Sequence, residues 1–250
     1  MKVILSPTKT MMSSQFKIED SPNSIPFFQK ESVKIHQLLK GFPNQKIKSL
    51  MKLSEKLNNQ TLKDIQLWDS VNSFKTYAVY GYQGTSFKYL EPQKWTLSDA
   101  NYAQNNLLIL SGLYGVLQPF DFISKYRLEM GLKFQIDSSN SLINFWKDKI
   151  TSYFNSDNKN QFILNLASKE YSNVLSQRSL NSTVIDCIFY EKSDDSFKIV
   201  GSYSKAARGS MANFIVKNKL ESIEDLQKFC GLGYCYSPQQ SSKNKLVFSR

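Results

Sequence analysis

A short polar segment near the amino terminus carries residue types that bind anions. It spans residues 6–10 (SPTKT) and comes at the end of residues 2–6, whose apolar character predicts a short buried strand. Ligands of open α/β sheets bind at the carboxyl ends of such strands. The hydroxyls of Ser6 and Thr10 and the ammonium group of Lys9 therefore predict a seat for a phosphate or a carboxylate, although an ordinary polar loop explains them as well.

A second candidate segment, residues 110–131 (LSGLYGVLQPFDFISKYRLEMG), starts where the apolar run 107–111 predicts the end of a buried strand. Its glycines allow the backbone to approach an anion closely, which makes Ser111 and Tyr114 candidate pocket residues. Arg127 and Glu129 stand two positions apart, so on a predicted strand their side chains share one face and one site. A surface ion pair is the alternative interpretation.

A third candidate segment follows the apolar run 162–166 and supplies polar side chains for a pocket at the strand ends. Asn165 lies within that run, and a buried amide requires hydrogen-bond partners. Ser168 stands at the predicted N-cap of the next helix. Glu170, like Glu129, is a candidate general acid or base, but the sequence contains no established catalytic motif.

A fourth candidate segment, residues 205–211 (KAARGSM), places two cations near the predicted start of a helix. Lys205 and Arg208 are three positions apart and therefore lie on one face of the helix. Cations at a helix amino terminus oppose the helix dipole, so their presence there favours a bound anion. An exposed basic turn is the alternative.

The chain has 250 residues and a formal net charge of +11, and the excess is confined to its two ends. Residues 1–75 hold 12 basic and 6 acidic side chains, residues 76–200 hold 12 of each, and residues 201–250 hold 8 and 3. If both ends pack on one side of the fold, they form a basic face that attracts polyanions such as nucleic acid. A solvated lysine-rich surface explains the charge equally well.

The histidine and cysteine contents disfavour several kinds of site. His36 is the single histidine and lies in a predicted amphipathic helix, and the three cysteines, Cys187, Cys230 and Cys235, are scattered. A zinc site of standard spacing and a Ser-His-Asp triad are therefore not expected. An odd cysteine count favours a reducing cytoplasm, and no apolar run reaches the ~20 residues of a membrane span. We expect a cytoplasmic monomer without membrane partner, metal site or cofactor.

The four segments require a sheet with helices between its strands. Strands are predicted at 77–82, 107–111, 162–166, 183–190, 197–203 and 245–248, and helices at 27–40, 98–105, 141–154, 168–176 and 205–219. Two further helices, one from Asn44 to Leu57 and one from about Leu62, are expected to be joined at Asn58-Asn59. The pattern indicates an α/β (α+β) fold with a mixed central sheet. We expect a single domain over residues 1–250, with a helix-turn-helix-like segment at about 44–70 and a basic cleft at the strand ends.

The chain resembles the YaaA family, which is associated with bacterial peroxide stress. The matching stretches are 5–10 (LSPTKT), 50–57 (LMKLSEKL), 110–117 (LSGLYGVL), 126–131 (YRLEMG), 165–168 (NLAS) with Glu170 and Tyr171, and 205–209 (KAARG) with Met211. The combination of SGLYG and YRLEMG is specific to this resemblance.

The resemblance implies a cytoplasmic protein induced by hydrogen peroxide, which keeps unincorporated iron low and so limits hydroxyl-radical damage to DNA and proteins. It also implies a single mixed α/β domain with a basic cleft, and binding of duplex DNA through a helix-hairpin-helix-like element. The helical pair at 46–68 is the best candidate for that element, although its Asn58-Asn59 turn lacks the Gly-hydrophobic-Gly sequence.

Three functions follow from these residues. The preferred one is binding of duplex or distorted DNA through phosphate contacts that do not read sequence. Its candidate contacts are Lys9, Lys52, Lys56, Arg127, Lys205 and Arg208. The alternative is an enzyme that acts on a small anionic or nucleotide-like ligand, with Glu129 or Glu170 as acid or base. Direct iron sequestration is disfavoured because the sequence has no His and Cys cluster and no Glu-x-x-His motif.

Overall fold

Short apolar runs form the centre of the sheet, and helices cover them. The computed structural model describes residues 1–68, 73, 75–156, 162–193 and 196–250. The strands are β1 (Lys2–Leu5), β2 (Thr10–Met11), β3 (Lys75–Tyr77), β4 (Tyr82–Gln83), β5 (Leu107–Ser111), β6 (Gly115–Leu117), β7 (Phe122–Ser124), β8 (Phe162–Asn165), β9 (Thr183–Ser193), β10 (Ser196–Lys198), β11 (Cys235–Tyr236) and β12 (Lys245–Ser249). The helices are α1 (Gln29–Lys40), α2 (Asn44–Met51), α3 (Glu55–Leu67), α4 (Ala78–Gly81), α5 (Thr85–Leu90), α6 (Leu97–Asn106), α7 (Leu142–Asn155), α8 (Lys169–Ser172), α9 (Gly201–Asn218) and α10 (Ile223–Leu226). Short 3-10 turns lie at Pro92–Lys94, Gly231–Gly233 and Pro238–Gln240.

The central sheet has the strand order β11-β12-β9-β8-β1-β5-β6, with β10 paired to β9. The five inner strands β12, β9, β8, β1 and β5 are parallel to one another, whereas β6, β10 and β11 pair antiparallel with β5, β9 and β12. The buried runs of β1, β5 and β8 are typical of parallel strands covered on both faces. The prediction of an α/β fold with a mixed central sheet is therefore confirmed.

The strand register decides which polar residues meet. Ile4 of β1 stands opposite Leu108 of β5 on one side and opposite Asn165 of β8 on the other. Asn165 in turn stands opposite Asp186 of β9. Because parallel strands end on the same edge of a sheet, the segments that follow β1, β5 and β8 lie side by side there.

Several local predictions were right in kind. The strands predicted at 107–111, 162–166 and 245–248 correspond to β5, β8 and β12, and the helices at 27–40, 98–105 and 141–154 correspond to α1, α6 and α7. The helix predicted at 168–176 forms only over its first turn, as α8. The strand predicted at 183–190 extends to Ser193, and residues 194–195, which precede β10 in the chain, lie outside the described residues.

Other local predictions were wrong. The strand predicted at 77–82 is interrupted by the helical turn α4. The second strand of the predicted pair at 197–203 ends at Lys198, and α9 begins at Gly201, so Lys205 and Arg208 lie in its second turn and not at its start. Arg127 and Glu129 lie in irregular backbone and not on a strand.

The predicted turn at Asn58-Asn59 was also wrong. Lys52 has a left-handed backbone conformation with φ of 52°, and it ends α2 there. Ser54 then caps α3 by accepting a hydrogen bond from the Leu57 amide, so Asn58 lies inside the helix. The buried Asn58 amide donates to Asn44 Oδ1 at 2.6 Å, which holds the two helices together. Residues 69–70, at the end of the predicted helix-turn-helix-like segment, lie outside the described residues.

The helix that carries Arg208 is fixed by one close contact. α9 packs on α5, and a methyl group placed on Gly209 would lie 2.0 Å from the Ser86 carbonyl oxygen. Only a residue without Cβ permits this approach of helix and backbone. Gly209 therefore sets the position of Arg208, its neighbour in the chain.

Among the described residues, none of the helices combines the length and the apolar character that a membrane span requires.

Candidate functional site

The ends of β1 and β8 are joined by two serines. The Ser168 amide donates to Ser6 Oγ at 2.7 Å, and the Ser6 hydroxyl donates to Ser168 Oγ at 3.2 Å. Ser168 does occupy the N-cap position of α8, but its hydroxyl does not cap the helix, contrary to the sequence-based expectation. The Ser6–Ser168 contact instead ties two strand ends together.

The end of β5 carries a buried chain of hydroxyl groups. The Ser111 hydroxyl lies 2.7 Å from the Tyr126 hydroxyl, which lies 2.7 Å from that of Tyr82. Ser111 Oγ also accepts a hydrogen bond from the Tyr114 amide at 2.9 Å. Burial raises the pKa of Tyr126 to about 12. These hydroxyls therefore stay protonated at neutral pH and satisfy one another.

Arg127 and Glu129 both contact Lys9, which comes from the segment after β1. Lys9 Nζ lies 2.8 Å from Glu129 Oε2, and Arg127 Nη1 donates to the Lys9 carbonyl oxygen at 3.4 Å. We call the group of Lys9, Ser111, Tyr126, Arg127 and Glu129 the strand-end cluster. Arg127 Nε is buried and makes no hydrogen bond, but the void that Arg127 lines has a volume of only about 10 Å³, no larger than a water molecule requires.

Three further candidate residues, Thr10, Tyr114 and Glu170, lie around this cluster. Glu170 is exposed and accepts a long hydrogen bond of 3.4 Å from the Gly131 amide. Thr10 is exposed on β2, opposite Gln83. Tyr114 is buried in the core, and its hydroxyl accepts a hydrogen bond from Trp68 Nε1 at 2.9 Å. The predicted pocket roles of Glu170, Thr10 and Tyr114 remain predictions.

A separate cleft of about 760 Å³ opens beside β8 and β9. Its floor is β9, one wall is α8 with the segment that follows it, and the other wall is the amino-terminal half of α9. Among the sequence-based candidates, Asn165 and Arg208 line it. We refer to this space as the β8–β9 cleft.

Asn165 and Asp186 form a polar pair in this cleft. The Asn165 amide donates to Asp186 Oδ1 at 2.7 Å, and Asn165 Oδ1 accepts from the Ala167 backbone amide at 2.9 Å. The buried amide thus has the partners that its position in an apolar run requires. The pairing also holds the Asp186 carboxylate in place on the cleft floor.

Arg208 reaches furthest into the protein of the four cations in the cleft lining, and among the described residues its guanidinium group has no hydrogen-bond or ion-pair partner. Its Nε atom is buried and makes no hydrogen bond. Burial lowers the pKa of Arg208, and the nearby Cys187 and Asp186 partly offset that effect. Burial also raises the pKa of the Cys187 thiol, which leaves it a weak nucleophile. A desolvated guanidinium group without an ion-pair partner is suited to bind an anion.

The rim of the cleft adds further positive charge. Its cationic side chains are Lys147 from α7, Lys169 from α8 and Arg178 from the following segment, and all three are exposed. With Arg208, they give four cations against the single carboxylate of Asp186 in the lining. The cleft can therefore attract an anion at its rim and hold it at Arg208.

The candidate cations do not converge on one place. Lys52 and Lys56 are exposed on the α2–α3 hairpin, and in the described part of the chain neither contacts the strand-end cluster or lines the cleft. Lys205 is also exposed outside the cleft lining, and its carbonyl oxygen accepts a hydrogen bond from Ser86. The six predicted DNA contacts thus divide among four locations, namely the strand-end cluster, the α2–α3 hairpin, the cleft and the exposed Lys205, and their role remains a prediction.

Sequence reasoning missed several residues at these sites. Asp186, Lys147, Lys169 and Arg178 line the cleft, and Tyr126 and Tyr82 complete the hydroxyl chain. Asp186 was recognisable as an acidic residue within a predicted strand, where a carboxylate requires a partner. The three rim cations have no comparable signal, because each stands in an ordinary polar stretch.

Comparison with known proteins places the whole chain in one family. The family model described as peroxide stress protein YaaA matches residues 1–240. A UPF0246 protein from Desulfotalea psychrophila is 35% identical over 254 residues, covering all of this chain and 98% of that protein. UPF0246 proteins from Francisella tularensis subsp. novicida and Marinomonas sp. are 35% and 37% identical, with 100% of this chain covered in each case and 100% and 97% of those proteins. This chain therefore belongs to the family of the peroxide stress protein YaaA.

Proposed function

We propose that this protein acts in the cytoplasm during peroxide stress by binding the phosphate backbone of duplex or distorted DNA, and that it thereby helps to limit free iron and oxidative damage. The observation that carries the DNA-binding part is Arg208, a desolvated cation without an ion-pair partner in a cleft rimmed by three exposed cations. Family membership supports the role in peroxide stress.

The arrangement of the cleft favours contacts with phosphates over contacts with bases. Lys147, Lys169 and Arg178 lie at the surface, where they can follow a charged backbone, and Arg208 lies deeper. Phosphate contacts position a duplex and carry no sequence information. Binding is therefore expected to depend weakly on sequence and strongly on salt. All of these side chains come from one chain, so a monomer suffices.

The α2–α3 hairpin is a secondary contact in this proposal. Lys52 and Lys56 are exposed at its turn and at the start of α3, which leaves their ammonium groups free to reach phosphates. Its geometry differs from the sequence-based interpretation, because the turn lies at residues 52–54 and contains no glycine. Its contribution is expected to be additive and modest.

The proposal is tested by salt-titrated binding of a labelled DNA duplex. Affinity should fall between about 50 and 200 mM salt, with a slope in log–log form of about −0.9 for each phosphate contact. Arg208→Met should weaken binding at least thirtyfold, which corresponds to about 2 kcal/mol. Lys169→Ala should reduce the salt slope by about one contact.

The matched control is Lys40→Ala, which removes an exposed lysine at the end of α1, outside the cleft lining. It should leave both the affinity and the salt slope close to those of the wild type. Undetectable duplex binding at low salt, or an affinity that does not change with salt, would contradict the proposal.

A small anionic or nucleotide-like ligand is the second candidate, and the volume of the cleft favours it. A cavity of about 760 Å³ lies in the range of small-molecule sites, about 300–1,000 Å³. Arg208 would take the anionic group, and Asp186 would accept a hydrogen bond from the ligand. Calorimetry with inorganic phosphate and with a nucleoside monophosphate distinguishes the candidates, because a small-ligand site should bind one of them without DNA.

The proposed effect on iron is tested in cells. Chelatable iron should rise after a peroxide challenge in cells that carry only the Arg208→Met protein, and it should stay at the wild-type level with Lys40→Ala. Equal iron levels with both variants would show that the cleft does not contribute to limiting free iron. Among the described residues, no group of three or more His, Cys, Asp or Glu side chains is placed to hold a metal ion.

A further inference from the structure

Two cysteines that are five positions apart meet at the protein surface. The Sγ atoms of Cys230 and Cys235 lie 3.4 Å apart, and both residues are exposed and reduced. A disulfide requires about 2.05 Å between the sulfurs, so closure needs them to approach by only about 1.4 Å. This pair lies outside the strand-end cluster and outside the cleft lining.

The residue before each cysteine is anchored in the core. Phe229 directly precedes Cys230, Tyr234 directly precedes Cys235, and both are almost completely buried. Phe229 packs its ring against Phe189 and Phe248, and Tyr234 donates its hydroxyl to Glu191. The thiols therefore extend from fixed backbone positions, and the fold holds them together.

The segment between the cysteines is held by the carboxyl-terminal residue. Arg250 Nη1 donates to the Leu232 carbonyl oxygen at 2.7 Å, and Arg250 Nε lies 3.1 Å from Glu191 Oε1. Leu232 has a left-handed conformation with φ of 58°, and Gly233 follows it with φ of 82°. This tight turn brings the sulfur atoms to the same side.

We infer that Cys230 and Cys235 form a peroxide-reactive dithiol, which hydrogen peroxide or an organic hydroperoxide oxidises to an intramolecular disulfide. The reaction goes beyond the proposed DNA binding and does not depend on it. In a reducing compartment such a disulfide is transient, because thiol–disulfide exchange with a cellular dithiol returns both sulfurs to the reduced form.

The reaction proceeds in two balanced steps. One sulfur, as the thiolate, attacks an oxygen of the hydroperoxide; the O–O bond breaks, and the other oxygen leaves with its electron pair and takes up a proton, as water or an alcohol. The second sulfur attacks the resulting sulfenic acid, the S–S bond forms, and the S–O bond breaks with release of water. The two thiols together lose two electrons and two protons, and the hydroperoxide is reduced by two electrons.

The ionisation of the pair is compatible with this sequence. The pKa of the Cys230 thiol is raised, chiefly because it shares a hydrogen bond with Cys235. Cys230 therefore starts mainly as the thiol, and the 3.4 Å approach of the two sulfurs is what favours formation of the disulfide. Cys187 is the internal reference, since it is buried on β9 and burial raises its pKa.

Peptide mapping of the folded, full-length protein tests the inference. Cleavage after Lys228 and Lys243 leaves both cysteines in one peptide, residues 229–243. After brief treatment with one equivalent of hydrogen peroxide and alkylation, this peptide should lose the mass of two hydrogen atoms, and dithiothreitol should reverse the loss. The peptide that contains Cys187 should remain unoxidised.

Two comparisons make the test specific. In Cys230→Ser and in Cys235→Ser the intramolecular disulfide cannot form. After oxidation, the remaining cysteine should instead be found as a sulfenic acid that dimedone traps, or in a disulfide between two chains. Formation of the cross-link should be about tenfold faster in the folded chain than in urea, because the fold holds the two sulfurs together. A wild-type peptide that stays reduced, that gains only oxygen, or that cross-links no faster when folded would overturn the inference.

Discussion

The strand-end cluster and the β8–β9 cleft lie at neighbouring strand ends of one sheet, yet their polar groups are arranged differently. In the cluster, Lys9 pairs with Glu129, and the hydroxyl of Tyr126 is shared with Ser111. In the cleft, the guanidinium group of Arg208 has no hydrogen-bond or ion-pair partner among the described residues, and the adjoining space is about 760 Å³. The void beside Arg127 is about 10 Å³.

This difference separates polar residues that stabilise a fold from those that are available to a ligand. Buried polar groups that satisfy one another support the local structure. A desolvated charge without a partner costs stability, and a bound anion would offset that cost. Residue type alone does not distinguish the two cases, since each region contains an arginine, a carboxylate and a serine.

The variant Arg208→Met should have the largest effect, and its two effects should differ in sign. Removal of the desolvated charge should leave the free energy of unfolding unchanged or raise it, by up to about 4 kcal/mol, whereas duplex affinity should fall at least thirtyfold, about 2 kcal/mol. Urea denaturation and the DNA titration measure the two quantities. If the free energy of unfolding and the duplex affinity both fell, Arg208 would stabilise the fold as the residues of the strand-end cluster do.

Gly209→Ala should have the second-largest effect, because it displaces α9, which forms one wall of the cleft. The added methyl group would lie 2.0 Å from the Ser86 carbonyl oxygen, so α9 must shift away from α5. We expect a loss of about 1–3 kcal/mol in the free energy of unfolding and weaker duplex binding.

The control for this variant is Gly201→Ala at the start of the same helix. A methyl group there meets no atom within 4 Å, so stability should be unchanged or slightly higher. Equal denaturation midpoints for the two variants would show that the α5–α9 contact does not fix the cleft.

Tyr126→Phe tests the cluster by removing the hydroxyl at the centre of its chain. Ser111 and Tyr82 each lose a partner in a buried setting, so we expect a loss of about 1–2 kcal/mol in stability, with duplex affinity unchanged. Tyr77→Phe is the control, because its ring lies among aromatic side chains and its hydroxyl makes no hydrogen bond to any described residue. A drop in affinity for Tyr126→Phe alone would connect the cluster to the ligand.

The raised pKa of Tyr126 also predicts how the stability of the protein changes at alkaline pH. The pKa of Tyr126 is raised by burial from its ordinary value of 10.0 to about 12 in the folded chain. A raised pKa contributes stability that is fully present below pH 10 and is lost as the pH rises through 12. Denaturation curves measured across this window should show a smaller loss for Tyr126→Phe than for the wild type.

Lys9→Ala should have the smallest effect. Lys9 is more than half exposed and Glu129 about one-fifth, so their ion pair is screened by solvent. The free energy of unfolding should fall by about 0.2–1 kcal/mol. A double-mutant cycle with Glu129→Gln measures the coupling. A weakening of duplex affinity comparable with that of Arg208→Met would show that the cluster also contributes to binding.

The amino-acid sequence by itself determined which segments form the centre of the sheet and which polar segments follow the strands. Continuous apolar runs identified β5 and β8, because a strand buried on both faces must be apolar along its length. The family resemblance also followed from the sequence, since its motifs are contiguous. The need for partners at Asn165 was visible too, because an amide inside an apolar run must be satisfied.

Only the tertiary structure decided which of these polar residues act together. Asn165 meets Asp186 because the β8–β9 register places them side by side, although 20 residues separate them in the chain. Asp99, from the neutral middle of the sequence, pairs with Lys217 and Lys219 from its basic end, so charge counted along the chain does not give charge in space. Periodicity and composition report local environment, whereas contacts between distant residues depend on register and helix packing. For that reason Arg127 and Arg208 were equivalent candidates in the sequence, whereas in the folded chain only Arg208 of the two lines a ligand-sized cleft.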